Sequence, residues 1–298
     1  MCIVLDYIQK YPLRAKQILG ISYEQFQSLL KAAAEKHLKM KKENEKQKVR
    51  INSPGGGRKE LLSTSEQICL CLFYLRQIPT FEILGMLFSV SKSEANATFH
   101  YCRKILREIL PCSLLEQVGN QEGDLIIVQE ILTSFKLLVD SVEQPIDRPS
   151  DNEEQKKVFS GKKKQHTLKS QVVGLPEAKD IVDIEVGFPG PTADINLFRQ
   201  QQTKFDEGQK FEGDKGYQGG NNITTPHKKK RNRHKLSDQQ KEENKVLSSK
   251  RIFVEHLIRM IKIFQIASQR FRLNSDVYKE IILIVCGLVR LRIGALVL

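Results

Sequence analysis

KVLSSKRIFVEHLIRMIKIF, residues Lys245 to Phe264, is the stretch on which the reading of the fold turns. Laid on a helix at about 100° per residue, Val254, Leu257, Ile258, Ile261 and Phe264 form one apolar stripe. Arg251, Glu255, Arg259 and Lys262 line up on a neighbouring face, where Glu255 is the only acid. An exposed structural helix more often pairs its Glu with a Lys at i+4 and leaves the rest of the face mixed. A carboxylate at the edge of the core, flanked by cations suited to phosphate, is a candidate metal ligand beside a nucleic-acid backbone. The alternative is a solvated face, and the residues upstream decide between them.

The totals favour a polyanionic partner. The chain of 298 residues carries 48 Lys and Arg against 35 Asp and Glu, a formal net charge of +13. These cations are spread along the chain, which points to nucleic acid before a membrane surface. The length allows about two domains with a real core. Cys2, Cys69, Cys71, Cys102, Cys112 and Cys286 form no CxxC pair and sit mostly in apolar helical sequence, so reduced core thiols in a cytoplasmic protein are expected and a zinc site is not. MCIVLDYIQK lacks the features of a signal peptide. In IILIVCGLVRLRIGALVL the uninterrupted apolar part, Ile281 to Val289, is too short for a membrane span, and Arg290 and Arg292 follow it. A buried helix or strand closing the last domain is expected there.

Three regions follow from the punctuation. Residues 1–57 read as an N-terminal helical region and linker: Pro12 breaks a first helix, Ser22 and Gln25 form a capping box for a second, and a charged run leads into Asn52-Ser53-Pro54-Gly55-Gly56-Gly57. Residues 58–115 read as a helix-turn-helix DNA-binding domain. Its helices are expected over Ser65 to Ile78, Phe81 to Phe88 capped by Thr80, and a third opened by Ser91 with Glu94 and reaching Leu110. The third would enter the major groove, with Lys92, Ser93, Asn96 and Arg103 able to reach phosphates or base edges. Trihelical packing without DNA contact is the alternative.

Residues 131–298 change to an α/β grammar. Strands are expected in SFKLLVD, ending at Asp140, in HTLKSQVVGL, in DIVDIEVGF and in QKFEGDKGY, ending at Asp214. A helix starts near Asp194, which is expected to act as its N-cap. With the Glu255 helix this order suits a mixed sheet flanked by helices. Two basic runs, Lys162-Lys163-Lys164 and HKKKRNRHK with Lys228, Lys229, Lys230, Arg231 and Arg233, would form a positive trough for a phosphate backbone or else a solvated surface.

The neighbours of the acids carry a resemblance. LLVDSVEQPIDRP, FSGKKKQHTLK, GFPGPTADINLF, FEGDKGYQG and RIFVEHLIRMIK, with TFEILGMLFSVSKSEANATF and GRKELLS before them, resemble the DDE transposases of bacterial insertion sequences, in the group similar to the Harbinger-type DDE superfamily endonucleases. Arg251, Glu255 and Lys262 fall at the R-x3-E-x6-K spacing around that family's catalytic Glu. The resemblance implies an RNase H-like catalytic domain behind an all-α helix-turn-helix region. In it Asp140, Asp214 and Glu255 bind two Mg²⁺ ions, with Mn²⁺ as substitute, and Arg251 and Lys262 contact the DNA backbone. It further implies binding to terminal inverted repeats, cleavage of double-stranded DNA at the element ends, transfer of the 3′-OH ends to target DNA by two-metal phosphoryl transfer, and a homodimer in the active complex. Departures from the family pattern are Ser248, Ala193 and Ser141, none of them a metal ligand, and Asp194 is by position an alternative second acid, with N-capping the better explanation of it. The alternatives are a non-catalytic DNA-binding relic and an RNase H-like structure-specific nuclease.

Overall fold

Short polar side chains start the helices of the first half. The structure, a computed structural model, describes residues 3–47, 60–119, 122–229 and 236–298. After α1 (Ile3–Lys10) and α2 (Ala15–Ile18), the Gln25 N–H donates to Ser22 Oγ at 3.2 Å while the Ser22 N–H donates to Gln25 Oε1 at 2.9 Å, which opens α3 (Tyr23–Gln47). A second capping box, Ser63 with Glu66, starts α4 (Thr64–Gln77) one residue ahead of the expected Ser65. Thr80 then caps α5 (Phe81–Phe88) through the Ile83 N–H, and Ser91 caps α6 (Lys92–Ile109) through the Glu94 N–H. These helices form one compact unit, Met1–Leu110 with Phe264–Ile266 and Leu296–Leu298.

The turn between α5 and α6 has a steric condition. A Cβ at Gly85 would stand 2.6 Å from the Val90 carbonyl oxygen, so only glycine lets α5 close onto the following turn. Ser89, at φ 56°, reverses the chain there. Tyr74 stacks on Phe81 and tilts against Phe99, with centroids 4.8 and 4.4 Å apart, which ties α4, α5 and α6 together. This is a helix-turn-helix.

The second unit, Pro111–Ile263 with Ala267–Ala295, is built on a mixed sheet. It begins with α7 (Leu114–Val118) and α8 (Glu122–Leu132) and continues with β1 (Lys136–Pro145), α9 (Asn152–Val158), β2 (Phe159–Ser160), β3 (Gln165–Gly174) and β4 (Ile181–Pro189). Then come α10 (Asp194–Gln202), β5 (Lys210–Glu212), β6 (Ile223–Thr224), α11 (Asp238–Lys262) and α12 (Tyr278–Ile293). Strand β1 is central, antiparallel to β3 on one side and parallel to β5 on the other. Strand β3 also pairs antiparallel with β2 and β4, and β6 lies parallel to β5.

Helices cover the two faces of the sheet. On one, Leu137, Val139, Val173, Phe198, Phe211 and Tyr217 form a buried cluster that includes α10. On the other, α11 buries Val254, Leu257, Ile258 and Ile261, the stripe expected from periodicity. Gly174 permits that approach, because a Cβ there would meet Leu257 Cδ1 at 2.5 Å. Two strand ends differ from expectation. β1 does not stop at Asp140, because Ser141 to Pro145 go on pairing with Gln171 to Thr167 of β3. β5 stops at Glu212, two residues before Asp214, which caps the short turn Lys215–Tyr217 instead.

The apolar C-terminal run is a buried helix. No helix among the described residues is long and apolar enough to cross a membrane. Arg290 on α12 has no exposed surface and binds both Asp180 carboxylate oxygens, at 2.7 and 2.8 Å. Its remaining donors reach the Pro111 and Ser113 carbonyls, each at 3.0 Å, and Gln117 Oε1 at 2.8 Å. A fully bonded buried pair is near neutral, but removing one partner leaves the other charge uncompensated. Arg290→Met is therefore expected to destabilise the protein by about 3–5 kcal/mol in urea unfolding, and Arg290→Lys, which loses the bidentate geometry, by a large part of that.

Candidate active site

The register between β1 and β5 brings two acids together. Their parallel ladder ends at the pair Leu138↔Glu212, and Asp140 and Asp214 each stand two residues beyond it. Neighbouring strands lie about 4.7–4.9 Å apart, so the two acids stand at the same level past the ladder, Asp140 within β1 and Asp214 just beyond the end of β5. Helix α11, packed against β1, adds the third. Glu255 is half exposed, with Oε1 3.4 Å from Arg251 Nη2.

Electrostatics ties the three acids to one another. The Asp140 carboxyl is raised to about 6: burial is the largest cause, the Ser141 N–H and the Arg251 guanidinium oppose it, and the charges of Asp214 and Glu255 add to it. A cleft of about 490 Å³ opens beside Asp140 and Asp214. Its rim carries Lys162 and Lys163, from the exposed turn between β2 and β3, and Lys262 from the end of α11. Lys164 sits on the same turn outside the lining, and Glu255 flanks the cleft without lining it.

Asp194 does not cap α10, as expected of it; it is the first helical residue, and the N-cap is Ala193 with no side-chain bond. The Asp194 carboxylate instead accepts from Ser141 Oγ at 2.6 Å and from Lys169 Nζ at 3.0 Å. Lys169, Glu143 and Thr192 line the same cleft, and sequence reasoning missed them. A lysine in the middle of a strand that closes on Val172-Val173-Gly174 was the available signal, since an uncompensated charge buried there is costly.

The remaining residues expected to touch DNA divide. On α6, Lys92 and Ser93 are exposed and Asn96 is half-buried, all in the first two turns after the N-cap. Arg103 is a correction: it is buried, with Nε 3.0 Å from His100 Nδ1. It lies three turns further along the helix, where α6 packs against α3 and α4, so the stripe that is open at the N-terminus is covered there. Lys228 and Lys229 are exposed next to His227, whose N–H donates to Asn244 of α11 at 2.7 Å. Lys230, Arg231 and Arg233 lie outside the described residues.

Comparison with known proteins agrees with both units. Residues 139–290 match the family described as DDE superfamily endonuclease, and residues 59–112 match the helix-turn-helix of DDE superfamily endonuclease. A protein of Microchaete diplosiphon described as a probable transposase for insertion sequence element IS702 is 33% identical over 263 residues, covering 87% of this chain and 90% of the relative. The chain belongs to the DDE superfamily endonucleases, among the insertion-sequence transposases. No solved structure matches it. The mixed sheet flanked by helices, preceded by the helix-turn-helix, is the RNase H-like arrangement expected of a DDE endonuclease.

DDE superfamily endonucleases generally work with divalent metal ions. The donor set here fits such an ion in kind: three carboxylates, hard oxygen donors, two of them at the same level past the β1–β5 ladder. Among the described residues no three His, Cys, Asp or Glu side chains converge on one point as they stand. Asp214 Oδ1 accepts from the Gly216 N–H at 2.6 Å, and Glu255 is drawn to Arg251. What marks the site is a carboxyl raised chiefly by burial, with the charges of Asp214 and Glu255 adding to it, in excess of what its donors relieve.

That excess has a pH signature in the metal-free protein. A carboxyl raised from 3.8 to about 6 on folding binds its proton more tightly in the folded state. Its contribution to stability is present below pH 3.8 and is lost as pH rises through about 6. In EDTA, Asp140→Asn is expected to raise the melting temperature above wild type at pH 8 and to leave it close to wild type near pH 4. Thermal melts across that range check it, and equal pH slopes for the two proteins would refute it.

Proposed function

We propose that this chain is the transposase of an insertion element, binding the terminal inverted repeats, cutting double-stranded DNA at the element ends and joining the freed 3′-OH ends to target DNA. The observation that supports it most is the equal overhang of Asp140 and Asp214 past the β1–β5 ladder, with the charge of Glu255 within reach. In this reading Asp140, Asp214 and Glu255 hold two Mg²⁺ ions, which Mn²⁺ can replace. Bound there, the ions would polarise the scissile phosphate and make water a nucleophile at neutral pH.

The protein's own side chains bind and orient. Lys162, Lys163 and Lys262 draw the phosphodiester into the cleft by charge-assisted contacts, which release counterions and make binding salt-dependent. Arg251 holds Glu255 in the absence of DNA and offers a guanidinium to the backbone beside the reacting phosphate. Lys228 and Lys229 add exposed cations for the duplex, and Lys230, Arg231 and Arg233, which lie outside the described residues, are proposed to bind DNA with them. The exposed start of α6, with Lys92, Ser93 and Asn96, reads the repeat in the major groove. One set of carboxylates serves both hydrolysis and strand transfer, because a positioned 3′-OH can occupy the place of the attacking water. Two ends must be held at once, so the active complex is a homodimer.

The test is cleavage of a labelled duplex carrying the element's terminal repeat, with Mg²⁺ or EDTA, by the wild type and by Asp214→Asn and Glu255→Gln. Nicking at the repeat boundary is expected only with metal. The two variants are expected to lose it by at least about 10³-fold while repeat binding is retained, since each removes a group that acts on the transition state. Tight repeat binding by the wild type with no cutting under any divalent ion would leave a DNA-binding relic. Cutting governed by DNA structure rather than by the repeat would leave a nuclease of another kind.

A further inference from the structure

The hydrogen-bonded ladder that joins β1 to β5 ends before either acid. Beyond Leu138↔Glu212 no strand pairing fixes Asp140 relative to Asp214, so something else must set their separation. Side chains alternate along β1, which sends Asp140 to the face covered by α11 and Ser141 to the face covered by α10. There the Ser141 hydroxyl donates to Asp194 Oδ1 at 2.6 Å. The same oxygen accepts from Lys169 Nζ at 3.0 Å, and Lys169 also donates to the Thr192 carbonyl at 2.6 Å and lies 3.8 Å from Glu143 Oε1. Lys169 is only 6% exposed, so this ammonium is locked among its acceptors.

The other side of Asp194 meets the turn that carries Asp214. A Cβ on Gly216 would stand 2.9 Å from Asp194 Oδ2 and 2.8 Å from Asp214 Oδ1, which places the glycine between the two carboxylates. Tyr217, the next residue, is fully buried and packs edge-on against Phe198 of α10. Asp194 therefore touches the residue after Asp140 and the turn capped by Asp214, while its own position is fixed by Lys169.

We infer that Asp194, anchored by Lys169 and bonded to Ser141, is a positioning residue that sets the distance between Asp140 and Asp214 and so the metal affinity of the site. This rests on the metal site proposed above. Asp194 is not itself a ligand, because its Oδ1 is committed to a hydroxyl and an ammonium.

The experiment is Mn²⁺ binding to the full-length protein without DNA, followed by the electron paramagnetic resonance of the free ion, with melting temperatures in EDTA. Ser141→Ala and Asp194→Asn are expected to weaken Mn²⁺ binding by about 10–100-fold, the usual cost of removing a residue that orients metal ligands. Ser141→Thr, which keeps the hydroxyl, is expected to restore it. The double variant Ser141→Ala/Asp194→Asn is expected to bind no more weakly than Asp194→Asn, since both remove one link. Ser141→Ala carries the test should Asp194→Asn fail to fold. Wild-type affinity in both single variants, with Asp140→Asn unable to bind, overturns the inference and leaves the metal site standing. Complete loss in Asp194→Asn, equal to that in Asp140→Asn, overturns it by making Asp194 a ligand. Unchanged binding in Asp140→Asn removes the metal site and the inference together.

Discussion

Two carboxylates that leave adjacent parallel strands at the same height repel each other, and most of what surrounds them limits that repulsion. The backbone offsets part of it, with the Ser141 N–H on Asp140 at 2.8 Å and the Gly216 N–H on Asp214 at 2.6 Å. Arg251 offsets more from α11, which can come close because residue 174 has no side chain. The relief is incomplete by design of the position: a third acid arrives on the same helix turn as the arginine. A site that is uncomfortable when empty has the most to gain from a divalent cation.

The cations around the cleft do two different things. Lys169 lies beneath it, with every donor directed at an oxygen of the protein, and it balances Glu143 and Asp194. Lys162 and Lys163 stand on an exposed turn, so their charge is available to a phosphate chain. Net charge alone cannot separate these roles. Burial does, because a lysine taken out of water must be paired where it is, whereas one on a turn keeps its hydration until a partner displaces it.

What could be read from the sequence was local. The stripe on α11, the Ser22, Thr80 and Ser91 caps and the three-helix order all depend on residues within about one helical turn of each other. The acids could be named because their flanking motifs resemble a family, but their meeting depends on strand register, which no local pattern encodes. The misread residues are those whose partners are distant. Asp194 is expected to be a cap, yet its partner Ser141 is 53 positions away. Arg103 shares the helical stripe of Lys92, yet neighbouring helices cover it. A strand is expected to end at Asp140, but β3 continues to offer hydrogen bonds past it.

The Arg290 cluster joins the two ends of the catalytic unit, since it ties α12 to Asp180, 110 positions earlier, and to the Pro111 carbonyl, 179 positions earlier. On a ribosome, therefore, the sheet holds a buried carboxylate without its counter-charge until the last helix has emerged. The α4–α6 module makes its contacts within a short span and has no such wait. During synthesis, the ring contacts inside the α4–α6 module can therefore form well before the Asp180 carboxylate meets the guanidinium that neutralises it, and for that interval the sheet has to tolerate a charge that the finished protein never leaves uncompensated.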